Sequence, residues 1–363
     1  MLNLFRRIKE DTGFSNAYLG IDIGTTSIKV AEVSGGGGQP HLDNYALFET
    51  YGHLERINTA LQTSTLKLYD KEIAEYLKLI IKKAGFRSRN AIVSLPAFSA
   101  FTTMIEIPQM PERDISETLG FKARQYIPLP ISSVTIDWIK VGEKTDRAGN
   151  KIQQIFLVSI PNEEIEKYKH IFKLAGVSLT ALEMEGFSLA RALAGEEKKP
   201  VLIVDIGSRS TTFSVAQEGA LKFVSQSDFA GSSLTQSLAS GLGVNMRRAE
   251  DLKRQKGLAG LSYAPEQELS TLLLPILDVI INEVERVRSN YENSYREKIE
   301  SVILAGGGAG LLGIERYLKK RINLPVSIAN PLNNFSYPSK LEPVAGDLGP
   351  LLSVALGLAT KQF

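Results

Sequence analysis

Two stretches of this 363-residue chain restate one another: Tyr18 to Lys29 is YLGIDIGTTSIK and Val201 to Thr212 is VLIVDIGSRSTT. Each is an apolar run suited to a buried strand, then Asp-Ile-Gly, then small hydroxyl residues leading into a second strand pattern. Aligning Asp22 with Asp205 also aligns Ile23 with Ile206, Gly24 with Gly207 and Ser27 with Ser210. One such segment would constrain little. Two, about half a chain apart, predict an α/β protein of two similarly folded halves that face each other, in line with the two or three domains that the length suggests.

Both copies continue into a hairpin pattern. KVAEV, a glycine-rich turn at Ser34 to Gly38 and a strand near Tyr45 to Phe48 follow the first copy; TTFSVA, Glu218-Gly219 and ALKFVSQ follow the second. Alternation with glycine at the turn is the hairpin signal. The four consecutive glycines also admit a phosphate loop, but no lysine-serine pair follows them, and a hairpin tip accounts for them. Between the copies, Lys71 to Ala84 has apolar residues at helical spacing and ends at Gly85. Asn90 to Pro96 and Phe101 to Pro108 read as strands, Pro111 to Gln125 as a helix stopped by Ile127-Pro128, and Thr135 to Val141 and Ile152 to Ile160 as strands. Asn162 to Ala175 reads as a helix with Asn162 as its N-cap and Gly176 beyond its end. The run from Asn90 to Ile160 is therefore expected to hold a small inserted α+β subdomain. After the second copy, helices are expected over Ser232 to Gly241, Arg247 to Lys256 and Glu266 to Glu297, the last opened or kinked at Pro275. A buried strand at Ser301 to Ala305, a turn at Gly306 to Gly308, a helix at Gly310 to Arg321 and a small-residue helix at Leu348 to Thr360 complete the chain.

Composition excludes several chemistries. The chain has no cysteine, which removes disulfides, thiolate nucleophiles and cysteine metal sites and makes a reducing compartment the simplest home. Its three histidines, His41, His53 and His170, are scattered, which argues against a histidine-built zinc site or a histidine-centred triad. With 42 lysines and arginines against 40 acids the net charge is +2, too near neutral to point to nucleic acid or an anionic membrane. The most apolar stretch, Leu269 to Ile281, contains Pro275 and Asp278 and falls short of the roughly 18 residues of a spanning helix, so no membrane span is expected. The basic start (Arg6, Arg7, Lys9) leads into Glu10, Asp11 and Thr12, not into the apolar core of a signal peptide. Met1 to Lys9 reads as a frayed terminus, with a short amphipathic turn against a bilayer as the alternative.

Asp-x-Gly followed by threonine or serine can hold phosphate and magnesium together. Glycine lets the backbone turn sharply and present N–H groups to phosphate oxygens. The hydroxyls add donors, and an aspartate at a strand's end orients magnesium-bound water. Lys29, on the returning strand, is placed to neutralise a phosphate. Asp-x-Gly also makes ordinary turns, so one copy alone would not decide. The third element is VILAGGGAGLLG, Val302 to Gly313, where a strand, three glycines and a helix let a flat base or ribose lie against backbone, with the helix N-terminus facing it. A tight structural turn is the alternative, and the glycines lack the spacing of a Rossmann loop.

The order of these three elements resembles the actin, Hsp70 and sugar-kinase superfamily. The resemblance implies an actin-like (ribonuclease H-like) duplicated fold with two lobes around a nucleotide cleft. It makes the elements the first phosphate, second phosphate and adenosine motifs of a site for ATP and Mg2+. Asp22 and Asp205 then face the metal through water, Gly24, Thr25, Thr26 and Lys29 with Gly207, Ser208, Thr211 and Thr212 meet the phosphates, and Gly306, Gly307 and Gly308 meet the adenosine. LEMEGFSLARAL (Leu182 to Leu193) and LLSVALGLA (Leu351 to Ala359) resemble the two helices that connect the lobes. RRAEDLKR (Arg247 to Arg254) resembles a Glu-x-x-Lys pair that bacterial actin relatives use at the ribose, giving Glu250 and Lys253; the alternative is an ion pair on a solvated helix face. Glu185 matches the position of a water-positioning acid for slow ATP hydrolysis, or is a helix-start carboxylate favoured by the helix dipole.

Ser94 to Trp138 narrows the resemblance further, as do EGFSLARAL and GGGAGLLGIERYLKKRINLPVSIANP. All resemble the PilM family of type IV pilus assembly proteins, relatives of FtsA, with Gln125, Tyr126, Ile127, Pro128 and Pro130 as the sharpest match. Ala305 stands where that family often has threonine, and Ala230-Gly231 where it often has a glycine pair. The family implies an FtsA-type 1C insert at about 90–160, a first lobe of 1–198 plus 340–363, and a second lobe of 199–339. It also implies a cytoplasmic ATP-binding scaffold, held at the inner membrane by the N-terminal tail of a bitopic PilN-like protein in a groove between subdomains 1A and 1C. Other pilus assembly components and self-association are further expected contacts; nucleic acid is not. Phe98, Phe101, Phe121, Tyr126 and Trp138, with Lys122 and Arg124 nearby, would supply that groove, or else these rings form the insert's own core. An FtsA-like polymer tethered to membrane is the alternative function, set back by a chain that stops at Phe363 without a linker and amphipathic helix. A small-molecule kinase is the third, set back by an insert where a substrate pocket would lie.

Overall fold

The computed structural model describes residues 17–35, 38–49, 70–145, 148–258 and 264–363. The reading of Met1 to Lys9, His53, and Gly36 and Gly37 of the first hairpin tip lie outside the described residues. The first repeat folds as β1 (Ala17–Ile23), β2 (Ser27–Ser34) and β3 (His41–Glu49), followed by α1 (Asp70–Ala84) and β4 (Asn90–Leu95). β5 (Phe101–Pro108), α2 (Glu112–Lys122), β6 (Val134–Thr145) and β7 (Lys151–Pro161) form a separate unit before α3 (Asn162–Ala175), β8 (Ser178–Met184) and α4 (Glu185–Leu193). The second repeat is β9 (Val201–Ile206), β10 (Thr211–Gln217) and β11 (Ala220–Ser227), then α5 (Gly231–Leu242), α6 (Met246–Lys256), α7 (Ala264–Tyr295) and β12 (Ser301–Ala305). α8 (Ile314–Ile322), β13 (Val326–Ile328) and α9 (Ala345–Ala359) follow.

The repeat in sequence is a repeat in topology. One five-stranded sheet runs β3-β2-β1-β4-β8 and the other β11-β10-β9-β12-β13, each with an antiparallel meander followed by parallel strands. Registers correspond residue for residue: Asp22 faces Lys29 across β1 and β2, and Asp205 faces Thr212 across β9 and β10. Even the turns match, with the Gly24 N–H donating to the Ser27 carbonyl at 2.9 Å and the Gly207 N–H to the Ser210 carbonyl at 3.0 Å. The tip of the second hairpin places Glu218 (φ 50°) and Gly219 (φ 72°) both in the left-handed region, the tight two-residue turn its sequence predicts.

β5, β7 and β6 form a three-stranded antiparallel sheet whose own core (Ile105, Ile107, Ile155, Leu157) is covered by Ile115 and Leu119 of α2. β4 lies between β1 and β8 in the first five-stranded sheet. The inserted unit therefore begins after Leu95, later than the expected Asn90.

Four other features differ from expectation. Asn162 is the first helical residue of α3 and does not cap it; its side chain accepts from Thr135 Oγ1 (2.8 Å) and donates to the Ser132 carbonyl (3.1 Å), tying the helix to the insert. Leu182 to Met184 belong to β8, so the connecting helix α4 starts only at Glu185. α7 runs through Pro275 as one 32-residue helix. From the second of the three glycines the chain makes a 3-10 turn (Gly307–Gly310), and α8 begins at Ile314 behind Gly313, whose φ of 84° sets it apart from that turn.

α9 joins the two repeats to one core. The helical stretch Ser339–Ala359 is long and apolar enough to cross a membrane, a property the expectation built on Leu269 to Ile281 missed, yet 61% of its apolar window is buried within the protein. It crosses β1 and α4 at backbone contact: a Cβ on Gly20 would lie 1.8 Å from the Ala355 carbonyl oxygen, and one on Gly357 would lie 2.0 Å from that of Ser188. Behind this crossing, buried Glu183 receives the Arg191 guanidinium through two bonds of 2.9 Å and the Lys361 ammonium. Burial alone would raise the Glu183 pKa, but the two cations and their hydrogen bonds outweigh it and hold the carboxyl below its usual range. Gly20→Ala is expected to cost at least about 3 kcal/mol in denaturant unfolding, because neither strand nor helix backbone can yield. An unchanged midpoint would show that α9 does not bear on β1 as described.

Candidate functional site

The two Asp-x-Gly turns and the Gly306–Gly308 turn converge on one cleft, formed by two adjoining depressions that share Gly207, Ser208 and Gly307. The larger, about 720 Å³ and open to solvent, is lined by Asp22, Gly24, Thr25, Thr26, Lys29, Glu185, Asp205, Thr212 and Gly306 among others. The second, about 510 Å³, is lined by Gly231, Leu234, Glu250, Lys253, Arg254, Gly308, Gly310 and Leu311 as well as the shared residues. Every expected site residue except Thr211 therefore borders the cleft. Strand alternation explains the exception: Thr212 faces the cleft, whereas Thr211 is buried and donates to the Phe229 carbonyl at 2.7 Å.

The larger depression holds an excess of acid. Lys29 Nζ donates to Asp22 Oδ2 at 2.8 Å, and Ser94 Oγ donates to Asp22 Oδ1 at 2.9 Å. Burial works against the Lys29 charge, but Asp22 beside it, then Asp205 and Glu185, raise its pKa. The acids bear the opposite cost. Burial, then the neighbouring Asp22 and Asp205, push the Glu185 pKa well up, with Thr212 Oγ1 standing 3.5 Å from its carboxylate. Burial likewise raises Asp205 to about 6 in spite of Lys29. In the chain alone Glu185 therefore holds its proton more readily than an ordinary glutamate. Among the described residues no group of three or more His, Asp or Glu side chains is placed to hold a metal directly. Asp22 and Asp205 could thus meet a cation only with water or a ligand completing its shell.

At the other end Glu250 and Lys253 form a part-buried knot. Glu250 Oε2 accepts from Lys253 Nζ and Thr235 Oγ1, each at 2.6 Å, and its Oε1 accepts from Arg254 Nε at 2.9 Å. Lys253 Nζ also donates to the Gly231 carbonyl at 3.0 Å. Burial would raise the Glu250 pKa, yet Lys253 and the three hydrogen bonds bring it down to about 2. Burial lowers that of Lys253, against the pull of Glu250. The pair is therefore ionised and fixed on the cleft wall, not spread on a solvated helix face. Glycine is obligatory at the third turn: a Cβ on Gly306 would lie 2.3 Å from Asp205 Oδ1, and one on Gly308 2.3 Å from Ile206 Cγ2. The helix expected to aim its N-terminus at the cleft is replaced there by the 3-10 turn, since α8 starts beyond Leu311.

Sequence reasoning passed over Ser94, Arg209, Gly231 and Arg254, which also belong to this site. Ser94 is the penultimate residue of β4, which runs parallel to β1, so its position beside Asp22 follows only from strand order. Arg209 sits between Gly207 and Thr211 of the second Asp-x-Gly segment and was legible there as the one charged residue of that loop.

Comparison with known proteins agrees with this geometry. The family model for the type IV pilus assembly protein PilM matches residues 20–363. The cell division protein FtsA of Enterococcus faecalis is 23% identical over 338 residues, covering 82% of this chain and 74% of that protein. Among solved structures, a PilM-PilN type IV pilus biogenesis complex superposes with a TM-score of 0.80 at 23% identity, covering 95% of this chain and 98% of that one. MreB5 of Spiroplasma citri bound to ADP superposes with a TM-score of 0.55 at 16% identity over 94% of each chain. The fold is thus the actin-like one, with two lobes, a cleft between them and an inserted subdomain of the FtsA type.

Asp205 gives the pH dependence its sign. With a folded pKa of about 6 against 3.8, the native chain binds a proton that the unfolded chain releases, so this group's contribution to stability falls as pH rises through that window. Asp205 retains some exposure to the cleft, and the penalty at pH 7 is about 1–2 kcal/mol. Asp205→Asn is expected to raise the melting temperature of the ligand-free chain at pH 7, by a margin that fades toward pH 4. Calorimetry across that range checks it; a lower melting temperature for the variant at pH 7 would contradict the charge imbalance.

Proposed function

Since this chain belongs to the PilM family of type IV pilus assembly proteins, we propose that it acts there as a magnesium–ATP-binding scaffold that docks the tail of a membrane-anchored partner. The observation that carries the nucleotide part is the meeting of three glycine turns, from three distant parts of the sequence, around one acid-lined cleft. The residues fit the ligand. Asp22, Asp205 and Glu185 outnumber Lys29, an imbalance that a divalent cation relieves, and Asp22 and Asp205 would hold magnesium through its water. Gly24, Thr25 and Thr26 on one side and Gly207, Ser208 and Thr212 on the other offer donors to phosphate oxygens. Gly306, Gly307 and Gly308 leave room for the adenosine against backbone, and Glu250 with Lys253 suits the ribose hydroxyls. Magnesium, when bound, neutralises phosphate charge. Glu185 is the candidate to position water for slow hydrolysis.

In this reading residues 1–198 with 340–363 make the first lobe and 199–339 the second, with the insert between Leu95 and Pro161. The partner is a PilN-like bitopic inner-membrane protein whose N-terminal tail enters a groove between the first lobe and the insert, which would keep the chain at the cytoplasmic face of that membrane. The insert's rings divide into two groups. Phe101 and Trp138 pack on its own core, whereas Phe98, Tyr126 and above all Phe121, 76% exposed, are open to a partner. Pro96 and Phe98 also line the cleft beside Asp22. A polymerising role of the FtsA kind is the second reading, favoured by the similarity to enterococcal FtsA.

Three measurements test these parts. ATP with magnesium is expected to raise the melting temperature of the chain, and Asp205→Ala to abolish most of that rise; no shift in the unaltered chain would end the nucleotide assignment. A peptide of the candidate partner's first dozen or so residues is expected to bind at about micromolar strength, and the double variant Phe121→Ser, Tyr126→Ser to weaken it at least about tenfold. Equal binding by both proteins would move the docking site elsewhere. Sedimentation of the chain with ATP separates the FtsA-like reading, which requires pelleting filaments.

A further inference from the structure

Four cations border the cleft, and three are already committed. Lys29 is held by Asp22, Lys253 by Glu250, and Arg254 by Glu250 and by Glu49 at 3.1 Å. The fourth, Arg209, has no hydrogen-bonding or ion-pairing partner among the described residues, although it lines the same depression as Asp22, Asp205 and Glu185. Its backbone, by contrast, belongs to a fixed loop. The Gly207 N–H closes the turn onto Ser210, and α5 pins the loop from behind: the Gly231 N–H donates to the Gly207 carbonyl at 3.0 Å and the Ser232 N–H to the Ser208 carbonyl at 2.7 Å. A rigid loop therefore presents one uncommitted, exposed arginine to the open depression that the buried acids line. The repeat underlines its singularity, since Arg209 stands where the first copy has Thr26.

Its position along the cleft selects the phosphate it meets. Arg209 borders the depression with Asp22 and Lys29 and is absent from the one lined by Glu250, Lys253, Gly308 and Leu311. On the proposed nucleotide reading, from which this step proceeds, the second depression takes the nucleoside, and Arg209 lies at the far end of the phosphate chain. We infer that Arg209 contacts the terminal phosphate of a nucleoside triphosphate and makes the cleft prefer triphosphate to diphosphate. Lys29, the cation that sequence alone marked for this task, instead balances the buried acids. A planar guanidinium suits the role because it pairs with two phosphate oxygens at once.

The test uses the full chain with Arg209→Ala and Arg209→Lys, titrated calorimetrically with magnesium and either ADP or the non-hydrolysable AMPPNP. Arg209→Ala is expected to weaken AMPPNP about tenfold and ADP less than twofold, with Arg209→Lys recovering part of the AMPPNP affinity. Both variants should match the parent's melting temperature without ligand, since the side chain holds nothing in place. If the parent binds neither nucleotide, the nucleotide reading itself is overturned and this inference with it. If the parent binds both and Arg209→Ala binds them as tightly, or loses both equally, the nucleotide reading survives and the terminal-phosphate role of Arg209 does not.

Discussion

The buried acids around Lys29 are the constraint on which the rest of the cleft depends. Asp22, Asp205 and Glu185 come from both repeats and from the helix between them, and they share one ammonium. Each sits at the end of an element that the fold cannot move: Asp22 and Asp205 on the central strands of two sheets, Glu185 on the first residue of α4. The chain alone answers the imbalance by raising the pKa of both Glu185 and Asp205. A site that stores unfavourable charge in this way gains stability from whatever neutralises it, so affinity for a cation-bearing ligand is built into the same contacts that cost the ligand-free fold.

Such charge can be buried only because the surrounding framework is over-determined. Gly20 and Gly357 let α9 touch strand and helix backbone, and Glu183 with Arg191 and Lys361 locks the end of that crossing. The core also continues from the first sheet through Leu189 and Ala190 of α4 to Val201 and Ile203 of the second. The two repeats are thus joined along α4 and α9, at the base of the cleft, by close apolar packing.

Much of this was legible in the sequence, and the reason is local. The duplicated Asp-Ile-Gly segments predict paired hairpins because alternation and glycine fix strand and turn within a few residues, and both sheets follow. Boundaries that depend on distant partners were not legible. Asn162 looks like a helix cap until Thr135 and Ser132 claim its side chain. β4 reads as part of the insert until strand order puts it between β1 and β8. Within the site, the glycines and acids announced themselves by motif, whereas the role of each cation did not. Lys29 and Arg209 are alike on paper; only the register that seats Lys29 opposite Asp22 separates them.

Besides α4 and α9, the repeats meet where Ser336 exchanges backbone hydrogen bonds with Pro40 (2.9 Å) and Leu42 (2.8 Å), beside Leu332 and Phe335 clustered with Leu42, and further out they meet through polar contacts. Arg254 reaches Glu49 across the cleft mouth, with both side chains about half exposed, and Lys222 of β11 donates to the Val141 carbonyl of the insert. Exposed ion pairs of this kind contribute about 0.2–1 kcal/mol each. The packing along α4 and α9 is therefore strong and these outer contacts weak, so a change of angle between the lobes costs little where Arg254 meets Glu49. A ligand spanning both glycine turns needs only a few kcal/mol of differential binding to set that angle. The insert carries its own core and touches β11 through Lys222, so a change of angle alters that contact first.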